Sequence, residues 1–110
     1  MYLTYDLMGQ INELYERIVE HYGVPLWWDD EPDLCLYYDP TENLYGWHTL
    51  GEIGVNLATC ETWADIVGTL IHEYWHHMQK PNRKDQREYE AEASMVTKRD
   101  LHLFLNAEAS

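Results

Sequence analysis

The apolar residues of this chain change their spacing twice along its length, and that change sets the order of elements its fold must have. Leu7, Ile11, Leu14, Ile18 and Tyr22 recur at intervals of three and four, the period of one helix face, and Gly23 and Pro25 end the pattern. An amphipathic helix over residues 6–22 is expected. From residue 33 the period falls to two: Leu34, Leu36 and Tyr38 alternate with Cys35 and Tyr37, then Asp39-Pro40-Thr41-Glu42-Asn43 supplies a turn. Strand candidates follow at Leu44 to Leu50 and Glu52 to Ala58, separated by Gly51, with Ile53, Val55 and Leu57 on one face. A three-stranded, mostly antiparallel meander is the natural outcome. The helical period then returns. Thr62-x-x-Asp65 resembles a capping box with Asp in place of Glu or Gln, Pro81-Asn82 closes that helix, and a last helix is predicted from about Glu88 to Leu105. Helix, strands, helix, helix defines an α+β chain.

At 110 residues the sequence has room for one hydrophobic core, so residues 1–110 are read as a single compact domain. Its 45% hydrophobic content, with five Trp and nine Tyr, excludes a disordered tail. No apolar run is long enough to span a bilayer, and Met1-Tyr2-Leu3-Thr4-Tyr5-Asp6 lacks the basic, then greasy pattern of a signal peptide; a cytoplasmic protein without a membrane partner is expected. Cys35 and Cys60 lie far apart with no Cys-x-x-Cys spacing and read as small buried hydrophobes. In the acidic loop from Trp27 to Pro32, Trp27 and Trp28 are expected to pack as anchors.

The formal net charge is −13, and the first 61 residues carry −11 of it, with Arg17 their only Lys or Arg. Such a field repels phosphate backbones, which argues against a nucleic-acid partner, and attracts cationic peptides or basic proteins.

Chemistry concentrates in His72-Glu73-Tyr74-Trp75-His76. Helix positions four apart project one turn apart on one face, so two imidazoles can share a metal ion while Glu73 sits beside it as a base. At about 100° per residue, Trp63, Ile66, Val67, Leu70, Ile71, Tyr74, Trp75 and Met78 fall in one broad arc. His72 and His76 lie outside that arc with Asp65, Gly68 and Thr69, which is not where core histidines belong. A third ligand is needed, and Glu88, Glu90 and Glu92 are candidates. On the last helix Tyr89, Ala93, Val96, Leu101, Leu103, Phe104 and Leu105 define the inner arc; Glu90 projects within it, while Glu88 and Glu92 project with Arg99 to the solvated side. The expected metal group is therefore His72, His76 and Glu90. Asp100 points partly inward, and a contact behind a metal-bound His is expected for it.

The segment from Thr69 to Met78 resembles the active-site helix of the HExxH zinc metallopeptidases, and Glu90-Ala91-Glu92-Ala93 resembles the glutamate helix of their gluzincin branch, in the compact ImmA/IrrE-like or minimal form. Metzincins are disfavoured by Gln79 and Asn82, which stand where their pattern needs Gly and His; an SprT-like pattern would need His102 as ligand. The resemblance implies a zincin-like fold, a Zn²⁺ cofactor and a peptide or protein substrate hydrolysed by a metal-activated water with Glu73 as general base. It also implies a substrate paired along an exposed sheet edge, for which the strand from Leu44 to Leu50 is suited, with Gly46 allowing close approach. His48, Tyr45, His77 and Tyr74 are candidate oxyanion donors in principle; Tyr74 lies in the apolar arc, and spacing fixes none of them. A second reading is a non-catalytic acidic protein, stabilised by zinc, that sequesters a basic or nucleic-acid-binding partner.

Overall fold

The computed structural model describes residues 1–27 and 30–105. Its elements are α1 (Tyr5–Tyr22), β1 (Asp33–Tyr37), β2 (Gly46–Thr49), β3 (Glu52–Asn56), α2 (Trp63–Met78) and α3 (Gln86–Leu105). The order matches the periodicity, with boundaries that local chemistry explains. Thr4 caps α1 by accepting the Leu7 amide, and Gly23 ends it at φ +77, a conformation with no penalty only for glycine. The Thr62–Asp65 capping box is formed in both directions at the start of α2. At α3 the helix begins two residues earlier than the apolar pattern suggests, because Asp85 accepts the Glu88 amide at 2.9 Å. The Tyr89 hydroxyl then gathers the link before it, accepting from the Arg83 and Lys84 amides and donating to the Lys80 carbonyl.

The sheet is not a meander. Its spatial order is β1-β3-β2, with β1 parallel to β3 and β2 antiparallel to β3, so the expectation of a mostly antiparallel sheet is corrected to a mixed one. The reason lies in β3. Ile53, Gly54, Val55 and Asn56 are all buried, whereas β1 and β2 are half-buried, so the strand with no solvated face takes the centre. A tight two-residue turn with Gly51 at φ +86 makes the β2–β3 hairpin, while the longer link over residues 38–45 carries the chain past β3 to the far edge. Buried Asn56 fixes that link: its side chain accepts from the Asp39 and Ala58 amides and donates to the Asp39 and Leu44 carbonyls.

The core lies between the sheet and the three helices. Ile11, Leu14 and Ile18 of α1, Ile53 and Val55 of β3, and Ile66, Val67, Leu70, Ile71 and Tyr74 of α2 are fully buried. Leu57 joins them, as the alternation predicted. Leu103, assigned to the inner arc of α3, is instead 42% exposed, since the contacts at this end of the helix are taken by Phe104. Cys35 and Cys60 are free thiols, Cys60 buried. Trp27 is partly exposed with the Lys80 ammonium 5.9 Å over its ring, a cation–π contact in place of the expected burial; Trp28 lies outside the described residues. Among the described residues no helix is long and apolar enough to cross a membrane.

Two contacts between elements carry testable consequences. A Cβ on Gly46 would stand 2.4 Å from the Gly54 carbonyl oxygen and 2.6 Å from the Thr69 methyl. The close approach inferred for Gly46 is thus an internal one, seating β2 against α2. Gly46→Ala is expected to lower stability by about 1–3 kcal/mol in urea or thermal melts, because backbone on one side and a packed helix on the other leave nothing to yield cheaply.

The second contact is made by Asp100, which is buried, accepts from the Tyr22 hydroxyl at 2.5 Å and pairs with Arg99 at 2.8 Å. Its partners tie α3 to α1, so the expected contact with a metal-bound histidine is not made. The Arg99 guanidinium, with the Tyr22 hydrogen bond, lowers the Asp100 pKa to about 2. A carboxyl whose folded pKa is depressed stabilises the fold above its unfolded pKa and loses that contribution as pH falls through the folded one. Asp100→Asn should therefore cost about 1–2 kcal/mol at pH 7, and the gap to wild type should close between pH about 4 and 2, read from denaturation at a series of pH values.

Candidate metal centre

The third and fourth turns of α2 bring His72 and His76 onto the face that looks across to the first turns of α3. Their rings lie 4.8 Å apart, nearly perpendicular at 83°. Glu90 of α3 reaches both: one carboxylate oxygen is 3.0 Å from His72 Nε2 and the other 3.0 Å from His76 Nε2. The three potential ligand atoms lie within 4.8 Å of one another, so this His72, His76 and Glu90 group could hold a metal ion. Helical geometry alone had separated Glu90 from its two neighbours, and the folded chain brings together the same three residues.

The hydrogen bonds behind His76 say what belongs between these atoms. Gln79, the residue that caps α2, donates its amide to the Tyr89 carbonyl at 2.8 Å and to Glu92 at 3.1 Å. Its oxygen is therefore the acceptor that faces His76 Nδ1 at 2.7 Å, which assigns the imidazole proton to Nδ1. His76 Nε2 is then a bare lone pair, buried and 3.0 Å from a carboxylate oxygen that is also an acceptor. Two acceptors facing each other need a positive charge between them, supplied by a second proton on His76 that makes an ion pair with Glu90 or by a metal ion, and a divalent metal fits the three-residue group. Gln79 was legible only as an argument against one peptidase pattern. Its position three residues after His76 puts it on the same helix side, a signal that could have marked it as the residue orienting that ring.

Two expectations about the carboxylates change. Glu90 is not buried; its side chain is 48% exposed, against 23% for His72 and 13% for His76. The group sits at the rim of a cleft, shielded by the helices on one side and open on the other. Glu92 does not face solvent but fills the seam between α2 and α3, accepting from Trp75 Nε1 at 2.8 Å and from Gln79, and pairing with Lys84. The Lys84 contact leads the causes that hold its pKa near 2. The helical arc missed this because the neighbours that claim Glu92 are polar edges of α2 and the folded-back link, which an apolar pattern does not register. Glu88 and His102 are exposed, as expected.

Glu73 lines the cleft beside the metal group, together with His72, His76, Glu90 and His48. Burial raises its carboxyl pKa to about 7, with His76 opposing and the Glu90 charge adding to the rise. Of the four candidate donors, Tyr74 is fully buried with its hydroxyl bonded to the Gly23 carbonyl, and His77 is buried with its ring 5.8 Å from that of His48. Neither lines the cleft. His48, on β2, does, with its ring 6.3 Å from that of His76; burial, with His77 and His76 nearby, pushes its pKa down to about 4, which keeps it neutral. Tyr45 stands exposed at the other end of the cleft.

Two helices that supply His, His and Glu to one cleft beside an edge strand define a candidate metal centre in an α+β domain. Compared with known proteins, the chain matches no protein-family model, no curated protein and no solved structure.

Proposed function

We propose that the chain is a zinc-dependent metallopeptidase. The observation that carries this reading is the meeting of His72, His76 and Glu90 within 4.8 Å, with Glu73 in the same cleft and β2 along its edge. Two imidazoles and one carboxylate form the ligand set of a catalytic rather than a structural zinc site, since three protein ligands leave a position open. Bound there, zinc supplies Lewis acidity, which lowers the pKa of water and polarises a carbonyl. The chain's own residues do the rest. Glu73 accepts the proton that the attacking water gives up and passes it to the amide nitrogen as the C–N bond breaks, so that the hydroxyl ends on the carbonyl carbon and the proton on the amine.

Gln79 holds His76 in the tautomer that presents Nε2, and the peptide is aligned by main-chain hydrogen bonds along the outer edge of β2, which pairs only with β3 among the described residues. A zinc-loaded protein that cleaves an unstructured test protein, and a Glu73→Gln protein that keeps zinc and does not, is the expected pair of results. Zinc binding without cleavage by the wild type would instead favour the acidic binding protein.

A further inference from the structure

The helices pack on the side of the sheet that carries Ile53 and Val55 into the core. Side chains alternate between the two faces of a strand, so the register fixes what stands on the other side. Asp33, Glu52 and Thr49 form one row across it, and Cys35, Gly54 and Trp47 the next. Tyr37 and Asn56 lie in a third. Among the described residues, the cover that buries Gly54 and Asn56 there comes from the Trp47 ring and the residue 38–45 link, not from a helix.

Gly54 determines how the indole lies. A Cβ at that position would stand 2.2 Å from Trp47 Cε2, and 2.5 and 2.6 Å from Cζ2 and Nε1, the ring atoms on either side of it. An approach from the ring edge would bring the two flanking atoms closer than the one between them, so Gly54 meets the flat of the ring. The opposite flat of the indole is turned away from the sheet. The Tyr37 ring continues this platform, 6.2 Å away and tilted by 31°, and its hydroxyl donates to Glu42 at 2.9 Å, which holds a carboxylate at that end. At the other end Asp33 and Glu52 are register partners on adjacent strands, both exposed and neither in an ion pair among the described residues. Like charges side by side on a sheet are destabilising, and a cation from outside offsets that repulsion.

Charge selects the occupant. Arg17, on α1, is the only Lys or Arg of the first 61 residues, so no strand brings a cation to this face. A second copy would present the same carboxylates, and nucleic acid or an anionic membrane would present phosphates; all three are repelled. Guanidinium and ammonium groups are attracted by the carboxylates and also sit well on the face of an indole or phenol ring. We propose that the outer face of the sheet docks an arginine- or lysine-rich segment of a partner protein, with one cation over Trp47 and Tyr37 and its neighbours paired with Asp33, Glu52 and Glu42. Residues 33–37 span about 13 Å, a length that an extended segment with a cation at every second residue matches. His48, the β2 side chain nearest the metal group, stands on the other face, so docking here needs no metal and holds whether or not the chain cleaves peptides.

The probe is a capped heptapeptide of alternating arginine and alanine, titrated by calorimetry into the full chain at low salt, with and without zinc; a heptapeptide of alternating glutamate and alanine is the control. The arginine peptide should bind and the glutamate peptide should not, with affinities that agree within about 2-fold whether zinc is present or absent. Asp33→Lys with Glu52→Lys should weaken binding at least about 10-fold. Glu13→Lys with Glu16→Lys, the same change of charge on the exposed side of α1, should weaken it by no more than about 3-fold through the overall field. Melting curves check that both pairs fold, and Asp33→Asn with Glu52→Gln, which keep side-chain size, should weaken binding in the same direction if the lysine pair does not fold. In NMR spectra the indole N–H signal of Trp47, identified by its loss in Trp47→Phe, should move as the peptide is added, while that of Trp75, bonded to Glu92 between the helices, stays in place. Absence of binding, binding that needs zinc, equal losses from the two lysine pairs, or an unmoved Trp47 signal would each overturn the assignment.

Discussion

Glu73→Gln should leave zinc binding at wild-type stoichiometry and reduce peptide hydrolysis by about 10²–10⁴-fold, the usual contribution of a positioned general base. Glutamine keeps the length and volume of the side chain, so the cleft wall that Glu73 forms is retained. Glu73 is not one of the three clustered ligand atoms, so the metal should be held as before. Stability should not fall, because burial already disfavours the ionised form of Glu73 and an amide has no charge to bury. What is lost is the carboxylate that, among the described residues lining the cleft around the ligands, is not itself one of the metal group. The measurements are metal content by elemental analysis, kcat/KM on an unstructured protein, and melting temperature. Hydrolysis retained at the wild-type rate would contradict the assigned base.

His76→Ala should remove the thermal response to zinc. A ligand at 100 times its Kd stabilises a folded chain by about 2.7 kcal/mol, which for a domain of this size raises the melting temperature by roughly 10–20 °C. Wild-type protein stripped with a chelator and titrated with zinc should show that rise, and His76→Ala should show almost none. Gln79→Ala separates ligation from orientation: all three ligands remain, but the ring of His76 loses the acceptor that fixes its tautomer, and zinc affinity should drop about 10–100-fold. A wild-type melting temperature indifferent to zinc would remove the basis for the metal centre.

The residues that could hold the metal were legible because each is a local property of a helix. His72 and His76 share a face through a spacing of four, and Glu90 differs from Glu88 and Glu92 by its angle against the apolar arc. The capping of α2 and the stop after α1 were legible for the same reason, being set by residues within one turn. Local rules failed wherever a residue's partner is distant. Asp100 met Tyr22 of α1, and Glu92 met Trp75, Gln79 and Lys84, none of which an arc of apolar residues on α3 can indicate.

The sheet shows the same division. Alternation located three strands but not their order, because a period of two says which residues share a face and nothing about which strand lies beside which. β3 took the centre through burial on both faces, with Ile53 and Val55 in the core on one side and the Trp47 ring over Gly54 on the other. The sequence by itself thus determined the elements, their caps and the ligand residues, since helix geometry converts spacing into direction. Only the tertiary structure decided that Glu90 meets both histidines, that Gln79 orients one of them, and that the Trp47 ring lies over Gly54, because each depends on how far apart two separate elements come to rest.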